Sequence, residues 1–138
     1  MKKVFLNATA HNMGGEQLDK ARELAGEVKN LKDINPELAS KLVNSPDNLE
    51  GIATLAEELK DFCLELTRDC EKVYVHFPIG SPAFMFALAR EFIDFSGEII
   101  PVFSHSERES VEEVQPDGSV VKKSVFKFKK FIIFSEEV

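Results

Sequence analysis

An apolar run that breaks off into a polar, glycine-bearing turn, KKVFLNATAHNMGGEQ over residues 2–17, constrains this chain more than any other stretch. Val4, Phe5 and Leu6 suit a strand buried on both faces, although so short a run would by itself also fit a helix. The next residues decide between the two. Asn7, Thr9, His11 and Asn12 crowd hydrogen-bonding side chains onto the end of the run, and Gly14-Gly15 let the backbone turn before Glu16 and Gln17 open a helix. Ligands bind open parallel sheets beyond the carboxyl ends of their strands, so this loop is the first candidate site.

The same unit recurs along the chain. A helix over Glu16 to Glu27 carries Leu18, Ala21, Leu24 and Ala25 at helical spacing, with Gly26 as its stop signal. Val28 to Ile34 reads as a short second strand. Asn35-Pro36 opens a helix that runs to Val43 and ends at Asn44-Ser45-Pro46, because proline is tolerated at the first helical position. A longer helix over Asn48 to Thr67 shows a wide apolar stripe. Lys72 to Phe77 is a β-rich strand that ends in Pro78-Ile79-Gly80-Ser81-Pro82, and an apolar helix follows from Pro82 to about Phe95, closed by Gly97. Ser81 is placed as its N-cap, so free backbone N–H groups face the loop and can hold a phosphate. Glu98 to Phe103 makes a further buried strand, expected to stop at Ser104-His105-Ser106-Glu107-Arg108.

From Glu109 the pattern changes. Val111 to Gln115 and Ser119 to Phe126 flank the turn Pro116-Asp117-Gly118 as a β-hairpin. Phe126, Phe128, Phe131, Ile133 and Phe134 continue with interleaved lysines, as an extended strand covering the sheet or lying in a dimer interface. At 138 residues the chain reads as one domain, residues 1–138, with an α/β core over 1–108 and a hairpin and C-terminal strand over 109–138. The expected fold is a three-layer, Rossmann-like α/β domain with a mainly parallel sheet, strand order 2-1-3-4 and right-handed crossovers. That order brings the His11 loop beside the Gly80-Ser81 loop.

Composition narrows the function classes. A net charge of −7 argues against a general grip on duplex DNA, which is held mainly through phosphate neutralisation by Lys and Arg. No apolar run approaches the roughly 18 residues of a membrane helix, and the N-terminus lacks a signal-peptide core, so a cytoplasmic protein without a membrane partner is expected. Cys63 and Cys70 lack metal-ligand spacing and read as reduced structural thiols; no metal site and no cofactor is expected. GxGxxG, Walker, HExxH and GxSxG motifs do not occur. His11 reads equally as a helix cap or as a group facing a pocket, and His105 as a polar strand exit or a proton carrier. His76, inside a strand, reads as structural.

Two patterns at opposite ends resemble those of one family, the small stand-alone CRISPR-associated ring nucleases. An apolar strand followed by H-x-[LM]-x-x-E-Q is met by Phe5, Leu6, His11, Met13, Glu16 and Gln17. Arg108, Glu112 and Glu113, then Asp117-Gly118, Lys122, Phe126 and Lys127, are similar to that family's R-x-x-x-E-E and D-G-x-V-x-K-x-x-x-F-K tail. Phe128 stands where a histidine is common in that tail and Ile132 where an arginine is expected. The resemblance implies a CARF-like domain that binds cyclic oligoadenylate, chiefly cyclic tetra-adenylate, and cleaves it without metal. A ribose 2′-hydroxyl attacks its adjacent phosphate and leaves 2′,3′-cyclic phosphate ends, which silences type III CRISPR signalling in antiviral defence. Such chemistry needs in-line positioning and donors around the developing charge. On this reading His11, Arg108 and His105 are the candidate catalytic residues. Asn7, Thr9, Asn12, Gly80, Ser81, Ser104, Ser106 and Lys123 are the candidate ligand contacts. A homodimer is expected, because two copies most simply enclose a symmetric ring. The alternative is a sensor or sponge that binds the ring without cutting it.

Overall fold

The computed structural model describes residues 2–77, 81–92 and 98–134. Its elements run β1 (Lys3–Asn7), α1 (Gly15–Ala25), β2 (Gly26–Asn30), α2 (Leu31–Ile34), α3 (Pro36–Val43), α4 (Leu49–Leu66), β3 (Lys72–His76), α5 (Pro82–Phe92), β4 (Ile99–Val114) and β5 (Val120–Ile133). One five-stranded sheet has the order β2-β1-β3-β4-β5. The first four strands are parallel, and β5 returns antiparallel along β4. This is the Rossmann-like α/β arrangement the sequence led us to expect, with the core order 2-1-3-4.

Side chains alternate across each strand, and the two faces of the sheet bury two clusters. On one face Phe5, Tyr74, Ile100 and Val102 meet Met13 and the α1 residues Ala21 and Ala25. On the other, Leu6, Val73, Val75, Phe77 and Ile99 meet Leu31, Leu38, Leu42, Leu59, Phe84 and Leu88 from α2 to α5. Cys63 lies in this second cluster, where burial pushes its thiol pKa up, and Cys70 donates its S–H to the Leu66 carbonyl at 3.1 Å. Both cysteines are free. The helix starts follow their caps: Asn35 Oδ1 accepts from Leu38 N–H at 3.1 Å, Asn48 Oδ1 from Gly51 N–H at 2.7 Å, and Ser81 Oγ from Phe84 N–H at 3.2 Å. Gly26 sits at φ 77, a left-handed conformation that ends α1 and lets β2 begin without an intervening loop.

Two expectations are corrected here. The stretch from Val28 to Ile34 is not one strand: β2 spans Gly26–Asn30, and Leu31 starts a helical turn that buries its side chain in the larger cluster. The strand from Glu98 does not stop at Ser104, and the division at residue 108 falls inside β4. The polar run that read as a strand exit is one half of a charged ladder. Glu107 stands opposite Lys127 and Glu112 opposite Lys122, with Glu109 paired to Lys129 and Glu113 to Lys123. Because β3 pairs with β4 only as far as Val102, the remainder of β4 and its partner β5 project as an arm. Phe103 still packs on the body and Ser104 and Ser106 line its cleft, so the projecting part is the eight residues Glu107 to Val114, at about 3.3 Å each about 26 Å long. Among the described residues no helix is long and apolar enough to cross a membrane.

Candidate functional site

The carboxyl ends of β1 and β3 and the middle of β4 open into a cleft of about 560 Å³, within the roughly 300–1,000 Å³ usual for small-ligand sites. Thr9 and His11 from the loop after β1, Gln17 of α1, Ser81 at the start of α5, and Ser104 and Ser106 of β4 line it. His76 and Phe77 form its inner end, and Leu42 and Val43 of α3, with Ser45 just past it, close the cleft. The two loops expected to converge, after β1 and after β3, both contribute.

A polar row crosses the sheet beneath this cleft. Asn7 and His76 are the last residues of β1 and β3 and lie side by side in register, and Asn30 ends β2 beside Asn7. All three face α1, together with Ser104, two residues past Val102 on β4. Asn7 is fully buried and His76 is 5 % exposed, so their hydrogen-bonding groups must be satisfied within the protein.

The backbone partners of Asn7 orient its amide, and the amide in turn sets the tautomer of His76. Thr9 backbone N–H can only donate, and it faces Asn7 Oδ1 at 3.3 Å; the His11 carbonyl can only accept, and it faces Asn7 Nδ2 at 2.8 Å. The Asn7 amide is therefore oriented without ambiguity, and its Nδ2 also donates to Asn30 Oδ1 at 3.0 Å. Asn7 Oδ1 lies 3.1 Å from His76 Nδ1, so Nδ1 must carry the proton. In a neutral ring Nε2 is then an acceptor. Ser104 Oγ, at 2.7 Å, donates to it and in turn accepts from Gln17 Nε2 at 2.8 Å. Burial holds the His76 pKa down from its ordinary 6.5 to about 4, so the ring is neutral at physiological pH. Phe5 and Phe131 flank the imidazole with centroids 5.9 and 5.5 Å away and shield it from water.

The structure sorts the expected site residues into two groups. Thr9, His11, Ser81, Ser104 and Ser106 come together in the cleft, and Asn7 lies beneath them as a support. Asn12 is exposed outside the lining. His105 points to the opposite face of β4 from Ser104, and its Nε2 is 3.7 Å from Glu107. Arg108 is exposed on the arm with its guanidinium 5.1 Å from the Phe126 ring centroid, and Lys123 sits farther out, 3.7 Å from Glu113. Gly80 lies outside the described residues. None of the three lines the cleft of its own chain: His105 faces away from it between Ser104 and Ser106, and Arg108 on β4 and Lys123 on β5 lie out along the arm.

Three polar residues of the cleft were not anticipated as site residues. His76 read as structural from its place inside a strand; aligning the polar ends of strands one and three would have paired it with Asn7. Gln17 belongs to the N-terminal motif but reads as an ordinary first-turn residue. Ser45 carries a buried Oγ without a hydrogen-bond partner, and only the fold places it at the cleft. Together these groups can exchange a proton and donate to an anionic oxygen. Neither a curated protein nor a solved structure matches the chain significantly. A family model matches residues 3–132, and the chain belongs to the family described as Uncharacterized protein MJ1673 family.

Proposed function

We propose that this protein is a ring nuclease: it binds cyclic oligoadenylate at the cleft and opens the ring by metal-independent attack of a ribose 2′-hydroxyl on the adjacent phosphate. On this reading it works in the cytoplasm to end type III CRISPR signalling. The observation that carries it is the convergence on one cleft of His11 and Gln17, two residues of the N-terminal motif, with Ser81 at the α5 start and the serines of β4. Hydroxyls and helix-end N–H groups suit a phosphodiester, and the unpartnered Ser45 Oγ can be satisfied by a ligand.

The motif residues at the other end, Arg108 among them, ride on the arm away from their own cleft. The reading therefore includes a homodimer in which the arm of one copy reaches the ring held by the other. The arm extends about 26 Å past its own cleft. The exposed apolar side chains of Phe126, Val120 and Val121 supply surface for such a contact.

Incubation with cyclic tetra-adenylate in excess EDTA tests the reading. The expected products are linear fragments ending in 2′,3′-cyclic phosphate. An intact ring across a range of pH rules out the enzyme, and tight binding without turnover would identify the protein as a sensor or sponge.

A further inference from the structure

The structure assigns Ser104, His76 and Asn7 as a hydroxyl-activating relay, with Ser104 Oγ as the atom that takes a proton from the attacking hydroxyl of a phosphodiester. This rests on the ring-nuclease reading for its substrate, and on the geometry of the row for its chemistry.

Ser104 Oγ has one proton and two lone pairs. The proton is committed to His76 Nε2 at 2.7 Å and one lone pair to Gln17 Nε2 at 2.8 Å. The second lone pair is left for a ligand, and Ser104 lines the cleft. His76 is held in the required tautomer by Asn7 Oδ1 at 3.1 Å, and Asn7 is itself fixed by the His11 carbonyl and by Asn30. A base oriented by a third group, and bonded to a hydroxyl at the edge of a cleft, is the general arrangement of activated oxygen nucleophiles. A purely structural histidine would need only satisfied nitrogens. This one spends Nε2 on a serine that faces the cleft.

The step balances without a co-reactant. As the 2′-oxygen bonds to phosphorus, its proton passes to Ser104 Oγ and the Ser104 proton passes to His76 Nε2. The bond from phosphorus to the 5′-oxygen breaks, and that oxygen takes a proton from solvent. The imidazolium then releases its proton to solvent through Ser104, and no water is consumed. His76 must be neutral to act, and burial keeps it so down to about pH 4. The groups packed against it are Phe5, Asn7, Phe131 and Ser104, all uncharged. His11 is the titratable side chain in the lining of the same cleft.

Two reactions test the relay. The first is single-turnover cleavage of cyclic tetra-adenylate, with ring binding measured separately. The second needs no ring: diisopropyl fluorophosphate forms an Oγ–P bond on an activated serine as P–F breaks and fluoride departs, which mass spectrometry locates. Ser104→Ala and His76→Gln should each slow ring cleavage about 100-fold or more with little change in ring affinity. Asn7→Asp should move the acid limb of the pH profile upward from about 4, because a carboxylate on Nδ1–H stabilises the imidazolium. Melting curves on each variant exclude misfolding, and a variant that fails to fold is replaced by Ser104→Cys, whose thiol should restore part of the rate. If the wild type leaves the ring intact yet labels at Ser104 in a His76-dependent way, the relay stands and the ring reading falls. If the ring is cut and the variants cut it equally fast, the relay falls and the ring reading stands. A wild type that performs neither reaction overturns both.

Discussion

The α/β body and the hairpin arm treat the same residue types in opposite ways. In the body Phe77 is 2 % exposed and stacks against Phe92 and Phe103 with centroids 5.0 and 5.5 Å away; on the arm Phe126 is 71 % exposed. The buried polar row of the body is a chain of hydrogen bonds, whereas polar groups on the arm meet as exposed ion pairs across two strands. The body is held by what it removes from water. The arm is held by its backbone ladder and has no third layer, and an isolated two-stranded hairpin is marginal in water. Its apolar residues make sense as a surface waiting for company, which the body's do not.

Replacing one phenylalanine in each region is the most severe test of this contrast. Phe77→Ala should cost about 3–5 kcal/mol of unfolding free energy, since it removes a large buried ring and leaves a cavity. Phe126→Ala should change stability by less than about 0.5 kcal/mol in dilute solution. Urea titrations at low and high protein concentration measure both. A cost for Phe126→Ala that grows with concentration would show that the arm is covered by a second copy. A cost above about 2 kcal/mol that does not change with concentration would mean the arm packs on its own body, and the contrast fails.

A second test sets the buried row against everything exposed. The folded pKa of His76 is about 4 against 6.5 unfolded, so between those values the unfolded chain binds a proton that the folded chain does not. Stability is thus fully present above pH 6.5 and lost as pH falls toward 4. The integrated loss is on the order of 3 kcal/mol. Subtracting the profile of His76→Gln from that of the wild type isolates it from the carboxylates. A flat difference would mean that water reaches the ring and that Phe5 and Phe131 do not shield it.

The contrast also explains which parts were legible in the sequence. The body follows from local rules: apolar runs of strand length, helical stripes, and caps such as Asn35 and Asn48 that satisfy their own helix starts. Its strand order came from the alternation of elements, and its cleft from where the polar strand ends would meet. The hairpin of the arm was legible from its Pro116-Asp117-Gly118 turn, but its continuity with the sheet strand was not, because Ser104 to Arg108 has the composition of a loop. Its strand character shows only against its partner: Lys127 and Lys129, some twenty residues away, present charge to Glu107 and Glu109 across the ladder. The partners of His76 were not legible for a related reason. A histidine within a strand is usually packed, and it is packed here, but its partners Asn7 and Ser104 are 69 and 28 residues distant and come from the two flanking strands. Side chains whose meaning depends on register across strands are invisible until the register is known.

The smallest expected effect lies in the arm's charge ladder. Lys129 holds the Glu109 carboxyl below its ordinary pKa through a side-chain hydrogen bond, and Glu109 holds the Lys129 ammonium up by the same contact. By linkage, a depressed carboxyl contributes stability that is present above its unfolded pKa near 4.5 and is lost as pH falls through the folded value. Both side chains are about one-third exposed and in contact with solvent, so counter-ions screen the pair and the ordering of a long lysine offsets much of the attraction. Glu109→Gln should therefore leave the melting temperature unchanged within error at 0.5 M salt, and the wild-type and variant curves should run parallel from pH 7 to pH 3. A clear loss that salt does not remove would place Glu109 in a drier setting than the arm of a single chain provides. The pair would then have to lie against another surface, and the same experiment repeated on Phe126→Asp, at a concentration where the contact is lost, should abolish the difference.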